Sequence, residues 1–329
     1  MTSFSSRSYA GGADLDRLID FAQTATGARW PRSTYMKAGD IVWMLFTPGF
    51  DPYANIQLWF DRDGLAAYAW FEPPLHVDFD IRPGASPDDL LADEILRWAE
   101  ERRRNLGRLG KETIPKAYAM LGENTISTKA LDSDPSRISL LKRNGYTRTD
   151  RFGVLYSRSL VDAPIAQPEL DAGLRLRHAT DADLDARVDV HRDAWSVWGR
   201  SKVSIETYCQ LRSAPLYDPE LDVVLEDAAG KFLSYCIGWL DVANGIGHFE
   251  PVGCRPDFTG RGYARAVTIE GLRRMRARGL HAALVGTESV NQRARALYPS
   301  CGFVEVDRAH YYVKDLHDAE PPPSSNEGF

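Results

Sequence analysis

The sequence predicts an α/β protein made of two tandem domains, each a mixed sheet with helices on both faces. Three observations lead there. The chain has 329 residues, more than one hydrophobic core usually organises, so two domains of about 150 residues are expected. Strand-like and helix-like hydrophobic periods alternate along each half. The halves also end alike. Moved forward by 157 positions without gaps, residues 137–160 place Leu140 on Leu297, Gly145 on Gly302, Tyr146 on Phe303, Asp150 on Asp307 and Arg151 on Arg308. Five matches in one register, each closing a half, indicate an internal duplication.

In the first half the pattern predicts a helix near residues 14–24 and strands at 41–47, 56–61, 65–71 and 77–81. A long helix over 88–104 follows. Residues 161–173 carry Pro164, Pro168, Glu169 and Asp171 with no period and read as the linker between domains 1–160 and 174–317. The second half opens with a strand at 174–177 and a helix over 181–195 that Thr180 can cap. Strands are expected at 222–226, 232–239 and 248–254, with Gly230 turning between the first two. A helix over 263–278, stopped by Gly279, leads to a short strand at 282–287. A last helix over 290–300 and a strand near 304–314 close the half. The tail 318–329, with Pro321, Pro322 and Pro323 followed by two serines, reads as disordered.

Composition narrows the function. Lys plus Arg is 40 against 46 Asp plus Glu, a net charge of -6, which disfavours sequence-independent binding of nucleic acid. No apolar run approaches the roughly 20 residues of a membrane span, and residues 1–12 lack the apolar core of a signal peptide. Cys209, Cys236, Cys254 and Cys301 form no C-x-x-C pair, and the seven histidines show no ligand spacing, so no metal site is expected. The expectation is a cytoplasmic monomer or homodimer acting without membrane, nucleic acid or metal.

The informative segment is HFEPVGCRPDFTGRGYAR, from His248 to Arg265. A strand ends at Arg255-Pro256, and the loop from Thr259 to Ala264 opens directly into a helix. Gly260 and Gly262 let backbone amides approach a ligand, and the helix N-terminus adds free N–H groups and partial positive charge, together suited to a pyrophosphate. Arg261 and Arg265 add formal charge. A tight turn without a ligand would explain the loop taken alone. There is no G-x-x-x-x-G-K-[ST], and Arg265 stands where a dinucleotide fold needs its third glycine. His248 and Glu250 alternate with Phe249 and so share a face of the strand. Asn291 and Tyr298, two helical turns apart, share a face of the last helix.

With Asn291, Ala294, Leu297, Tyr298 and Gly302-Phe303 following at the expected distance, this pattern resembles the GNAT superfamily of acyl-CoA-dependent N-acyltransferases. Gly262 and Ala264 match its loop signature; Thr259 stands where Gln or Arg is usual. The duplicated layout and Val252-Gly253 are similar to tandem GNAT proteins of the mycothiol synthase type. The resemblance covers residues 174–316 well and the first half only in outline, and it implies mostly antiparallel mixed sheets flanked by helices.

It also implies acetyl-CoA as acyl donor. Val252, Gly253 and Cys254 would pair with the pantetheine arm as an added strand, and the amides of Gly260, Arg261, Gly262, Tyr263 and Ala264, with Arg265 beside them, would hold the pyrophosphate. Asn291 would bind pantetheine, and Tyr298 would protonate the departing thiolate. The base is Glu250, nearer the acyl group, or alternatively His248. In the first half, Arg82-Pro83 echoes Arg255-Pro256. However, Pro87, Asp88 and Asp89 spoil the loop, and Asp134 and Leu141 stand where Asn291 and Tyr298 do, so no acyl-CoA site is expected there. Trp43, Trp59, Trp70 and Phe71 read as core, with a share in walling the cleft. The implied activity is acetyl transfer to the primary amine of a small molecule in a ternary complex. The alternative is an acyl-CoA-binding or interaction protein without catalysis.

Overall fold

The computed structural model describes residues 4–32, 34–46, 48–84, 89–107, 122–162, 164–197, 199 and 201–316. The expectations for the tail and for the loop at 85–88 fall outside them. The first half runs β1 (Ser5–Ser8), α1 (Gly12–Arg29), α2 (Ala38–Leu45), α3 (Pro52–Asn55), β2 (Ile56–Asp61), β3 (Gly64–Glu72), β4 (His76–Ile81), α4 (Asp89–Arg104), β5 (Thr125–Leu131), α5 (Pro135–Arg143) and β6 (Thr147–Ser159). The second runs β7 (Arg175–His178), α6 (Leu184–Trp195), α7 (Ile205–Arg212), β8 (Tyr217–Glu226), β9 (Phe232–Asp241), β10 (Ile246–Cys254), α8 (Tyr263–Ala277), β11 (Ala282–Glu288), α9 (Gln292–Ser300) and β12 (Val304–Asp315).

One expected element is corrected, and one went unforeseen. The strand expected at 41–47 is not formed over its described residues, 41–46. Their apolar run belongs to α2, entered by Lys37, whose backbone N–H donates to Asp40 Oδ2 at 2.8 Å. Ile41 and Val42 are fully buried, and an apolar run that short cannot be told from a buried helix by period alone. Helix α7 went unforeseen, although Ser204 caps it by accepting from Thr207 N at 3.2 Å.

The duplication survives in three dimensions. Shifting β5 and α5 by 157 positions reproduces the bounds of β11 and α9, and β6 maps onto β12 to within one residue. Asp134 caps α5 from Arg137 N at 3.0 Å, as Asn291 caps α9 from Ala294 N at 3.2 Å. Gly145 and Gly302 then turn the chain at φ +82° and +80°, a conformation that costs a side-chain-bearing residue energy.

The halves do not keep separate sheets. One 12-stranded sheet runs β1-β2-β3-β4-β5-β12-β6-β11-β10-β9-β8-β7. Each half lends its last strand to the other: β12 pairs with β5, and β6 pairs with β11. The two lent strands pair with each other at the centre. A hydrophobic core beneath α1 and α2 joins Ile56, Leu58, Tyr68 and Trp70 of the first half to Ile237 and Trp239 of the second. Gly39 of α2 is required there, since a side chain would run into Trp239.

The sheet opens where the site lies. β10 pairs in parallel with β11 only from Ile246↔Ala282 to Phe249↔Val285. Pro251 then offers no N–H, and the register with β9 shifts between Phe249 and Val252. Beyond that point the two strands part.

Candidate active site

A cavity of about 1650 Å³ fills the opening and continues against the first half. Its wall takes in His248 to Cys254, the glycine loop, the N-terminus of α8 and one face of α9.

Val252, Gly253 and Cys254 pair with Cys236, Tyr235 and Ser234 of β9 on one edge only. Because Arg255 N–H donates to Leu233 O, antiparallel alternation turns the peptide groups of Val252 and Cys254 to the unpaired edge. An extended ligand could therefore complete the ladder there.

The loop below is held from behind. Arg255 donates through Nε to Phe232 O at 2.6 Å and grips Asp193 and Asp189 with its other nitrogens. Gly260 and Gly262 both sit at φ +82°, with open space where a Cβ would stand. No side chain caps α8, and the first amide with a helical partner is Ala266, bonded to Gly262 O at 2.9 Å. The amides of Tyr263, Ala264 and Arg265 thus face the cavity end of the helix without helical partners. Gly260, Gly262, Tyr263, Ala264 and Arg265 belong to the wall, and Arg265 Nε is anchored on Ser300 O at 3.1 Å. Arg261 lies outside the wall, its guanidinium over the Phe258 ring at 5.4 Å.

On α9, Asn291 lines the cavity while its Oδ1 caps the helix. Tyr298 is 5% exposed, wedged against Tyr156 and Phe303 with ring centroids 5.7 and 5.9 Å away. Its hydroxyl meets no protein partner among the described residues. Burial, and next the charge of Glu250, hold the phenol well above its ordinary pKa.

The two candidate bases separate clearly. Glu250 lines the cavity, and its backbone is fixed by Trp239 Nε1 donating to its carbonyl at 2.6 Å. Burial, with the charge of Asp40 second, pushes its carboxyl up to about 8. Burial pushes His248 down to about 4. His248 Nε2 lies 3.2 Å from Asp40 Oδ1, and its Nδ1 is closed off from solvent with no partner. Burial therefore raises the proton affinity of Glu250 and lowers that of His248, and both side chains belong to the cavity wall.

Of the first half's share in the wall, the sequence pointed to Trp43 and Trp70 but not to Tyr35, Lys37, Asp40 or Phe50. Tyr35, Lys37, Asp40, Phe50, Trp43 and Trp70 complete the wall, whereas Trp59 and Phe71 lie in the core. One carboxylate oxygen each of Asp40 and Glu250 and one ring nitrogen of His248 all fall within 4.8 Å of one another. No spacing signals a partner some 200 positions away.

Residues 188–303 match the sequence model of the Acetyltransferase (GNAT) family. Over that segment the chain is similar to the GNAT family. The chain is 27% identical over 267 residues to the mycothiol acetyltransferase of Saccharomonospora viridis, covering 78% of this chain and 83% of that protein. It is 28% identical over 245 residues to that of Kineococcus radiotolerans, covering 74% and 76%. Its fold matches the GCN5-related N-acetyltransferase of Sphaerobacter thermophilus at a TM-score of 0.63 and 19% identity, over 96% of each chain. A tandem GNAT protein from the clavulanic acid biosynthesis pathway matches at 0.63 and 13% identity, over 97% of this chain and all of that one. Among the described residues no helix is long and apolar enough to cross a membrane.

Proposed function

We propose that this protein transfers an acetyl group from acetyl-CoA to the primary amine of a small molecule held between its halves. The observation that carries this is the continuity of one cavity, from the unpaired edge of β10 and the N-terminus of α8, past Glu250 and Tyr298, to the wall supplied by the first half. Relatives named mycothiol acetyltransferase support acetyl transfer. The four free cysteines suit a reducing cytoplasm.

The open edge at Val252 and Cys254 takes the pantetheine arm, with Gly253 between them and Asn291 opposite. The amides from Gly260 to Ala264 take the pyrophosphate, with the helix dipole and Arg265 adding positive charge. Fixing donor and amine side by side lowers the entropic part of the barrier. Glu250, directly or through a water, takes the proton the amine must lose. A base that titrates near 8 is ionised often enough at working pH and still binds a proton firmly.

Tyr298 gives its proton to the leaving sulfur. The two groups are linked by charge. While Glu250 is ionised it holds the Tyr298 proton in place, and once Glu250 is protonated that hold is lost and the phenol becomes a readier donor. His248 does not act as base in this scheme.

Thiol release from acetyl-CoA across a panel of primary amines tests the proposal. Turnover that fails in Glu250→Gln and Tyr298→Phe supports it. Affinity for acetyl-CoA with no turnover on any amine would make the protein a binder instead.

A further inference from the structure

We propose that Asp40, supplied by the half that lacks the acyl-donor loop, is a positioning residue for the base on β10: it fixes the tautomer of His248 and sets the charge that Glu250 feels. This rests on the reading of Glu250 as the base.

Asp40 is itself held in place. Its Oδ2 accepts from Lys37 N at 2.8 Å and from Lys37 Nζ at 3.4 Å, which leaves Oδ1 directed at His248 Nε2, 3.2 Å away. Asp40 sits below the ordinary carboxylate range even though burial opposes this, drawn down by His248 first and by Lys37 next. Against an anion, His248 must carry its proton on Nε2. The other tautomer would set a lone pair against the carboxylate and bury an Nδ1–H that has no acceptor. The ring is therefore locked, and it stands as a neutral spacer beside Glu250.

The charges facing Glu250 are few. From α2 come Asp40, which raises its proton affinity, and Lys37, which lowers it. Its own strand contributes neutral His248. The phenols of Tyr298 on α9 and Tyr235 on β9 feel its charge in turn. Of these, Asp40 alone is a permanent anion, and a Glu250 oxygen lies within 4.8 Å of one of its carboxylate oxygens. At that range, one elementary charge in a partly buried site shifts a neighbour's pKa by about one unit or more. The half that binds no acyl donor thus tunes the half that does, which gives the inter-half contact a chemical purpose beyond packing.

The test uses the full chain, labelled with ¹³C at glutamate carboxyls. The Glu250 signal is assigned by its loss in Glu250→Gln and then titrated. Asp40→Asn can still accept from His248 Nε2, so it removes the charge and leaves the contact. The expected result is a Glu250 midpoint lower by about one pH unit or more. Lys37→Met should move it the opposite way, and Asp40→Glu should leave it near the parent value. For any amine that is turned over, the acid limb of kcat/KM should follow the same order, with acetyl-CoA affinity unchanged. A folded Asp40→Asn protein whose Glu250 midpoint stays put overturns the proposal. Should that variant fail to fold, an unmoved Glu250 midpoint in a folded Asp40→Ser protein overturns it equally. If the parent acetylates no amine, the proposed function fails while the titration still decides the role of Asp40.

Discussion

Leu141 and Tyr298 occupy the same position in two copies of one helix, 157 residues apart, and only one of them can give up a proton. Leu141 is fully buried in the first half's core, while Tyr298 lines the cavity. The helices share their bounds, their N-caps and the glycine turn that follows. The duplication preserved a scaffold in both halves, with the phenol in one of them.

Tyr298→Phe keeps the ring between Tyr156 and Phe303 and removes a hydroxyl that no protein group uses. Stability and acetyl-CoA affinity should barely change. Loss of a placed general acid should lower kcat by about 10²–10⁴-fold, with KM for acetyl-CoA unaffected. Steady-state kinetics under conditions where chemistry limits the rate checks this. A variant that keeps more than about a third of the parent rate, against that range, would reduce Tyr298 to a packing residue.

One acetyl-CoA should bind per chain, at the α8 loop. Gly262→Glu should abolish it, for two reasons. The residue sits at φ +82°, which a side-chain-bearing residue rarely adopts, and its Cβ would project into open space where the pyrophosphate is proposed to lie. Calorimetry reads both the stoichiometry and the loss. Two equivalent sites, or intact binding in the variant, would mean the loop is only a turn.

Glu250 should make activity and stability depend on pH in opposite senses. As a base it must be ionised, so kcat/KM should rise with pH and level off above about 8. Its folded pKa lies above its unfolded value of about 4.3, so the folded state binds the proton more tightly. That contribution is full below the unfolded value and is lost as pH rises through about 8. Glu250→Gln cannot ionise. Its melting temperature should therefore gain on the parent's from about pH 4 to about pH 8, while its activity is lost. Parallel thermal melts across pH measure this, and a constant difference between the two proteins would refute it.

Neither half should fold alone. A fragment of residues 161–329 lacks β6, which leaves the long edge of β11 unpaired, and a fragment of 1–160 lacks β12 beside β5. Exposed edges of this kind aggregate. Expressed separately, the fragments should be insoluble; expressed together, they should assemble into one soluble complex. A soluble, cooperatively melting second half on its own would count against the exchange.

The elements that the sequence revealed are those with a strong local signal. Strands β2, β3, β4, β8, β9 and β10 alternate or run apolar between turns, and α8 is bounded by Gly262 and Gly279. The duplication was legible because Leu140, Gly145 and Tyr146 repeat at one spacing. Helix α2 was misread because Ile41 to Phe46 is apolar on every side, so it carries no period to distinguish helix from strand. Its apolar faces are shared between the inter-half core and the cavity, which only packing reveals.

By itself, the sequence determined the repeat, the glycine loop with its helix, the pairing of His248 with Glu250 on one strand face, and Tyr298 on the same face as Asn291. All of these depend on residues close along the chain, where backbone geometry alone fixes which side chains share a face. Only the tertiary structure decided that the halves exchange their last strands, that Asp40 meets His248, and that burial raises the proton affinity of Glu250 while lowering that of His248. Those outcomes depend on which distant surfaces exclude water from each other. A carboxyl's proton affinity follows the solvent and charge around it, and these are set by chain segments some 200 positions away.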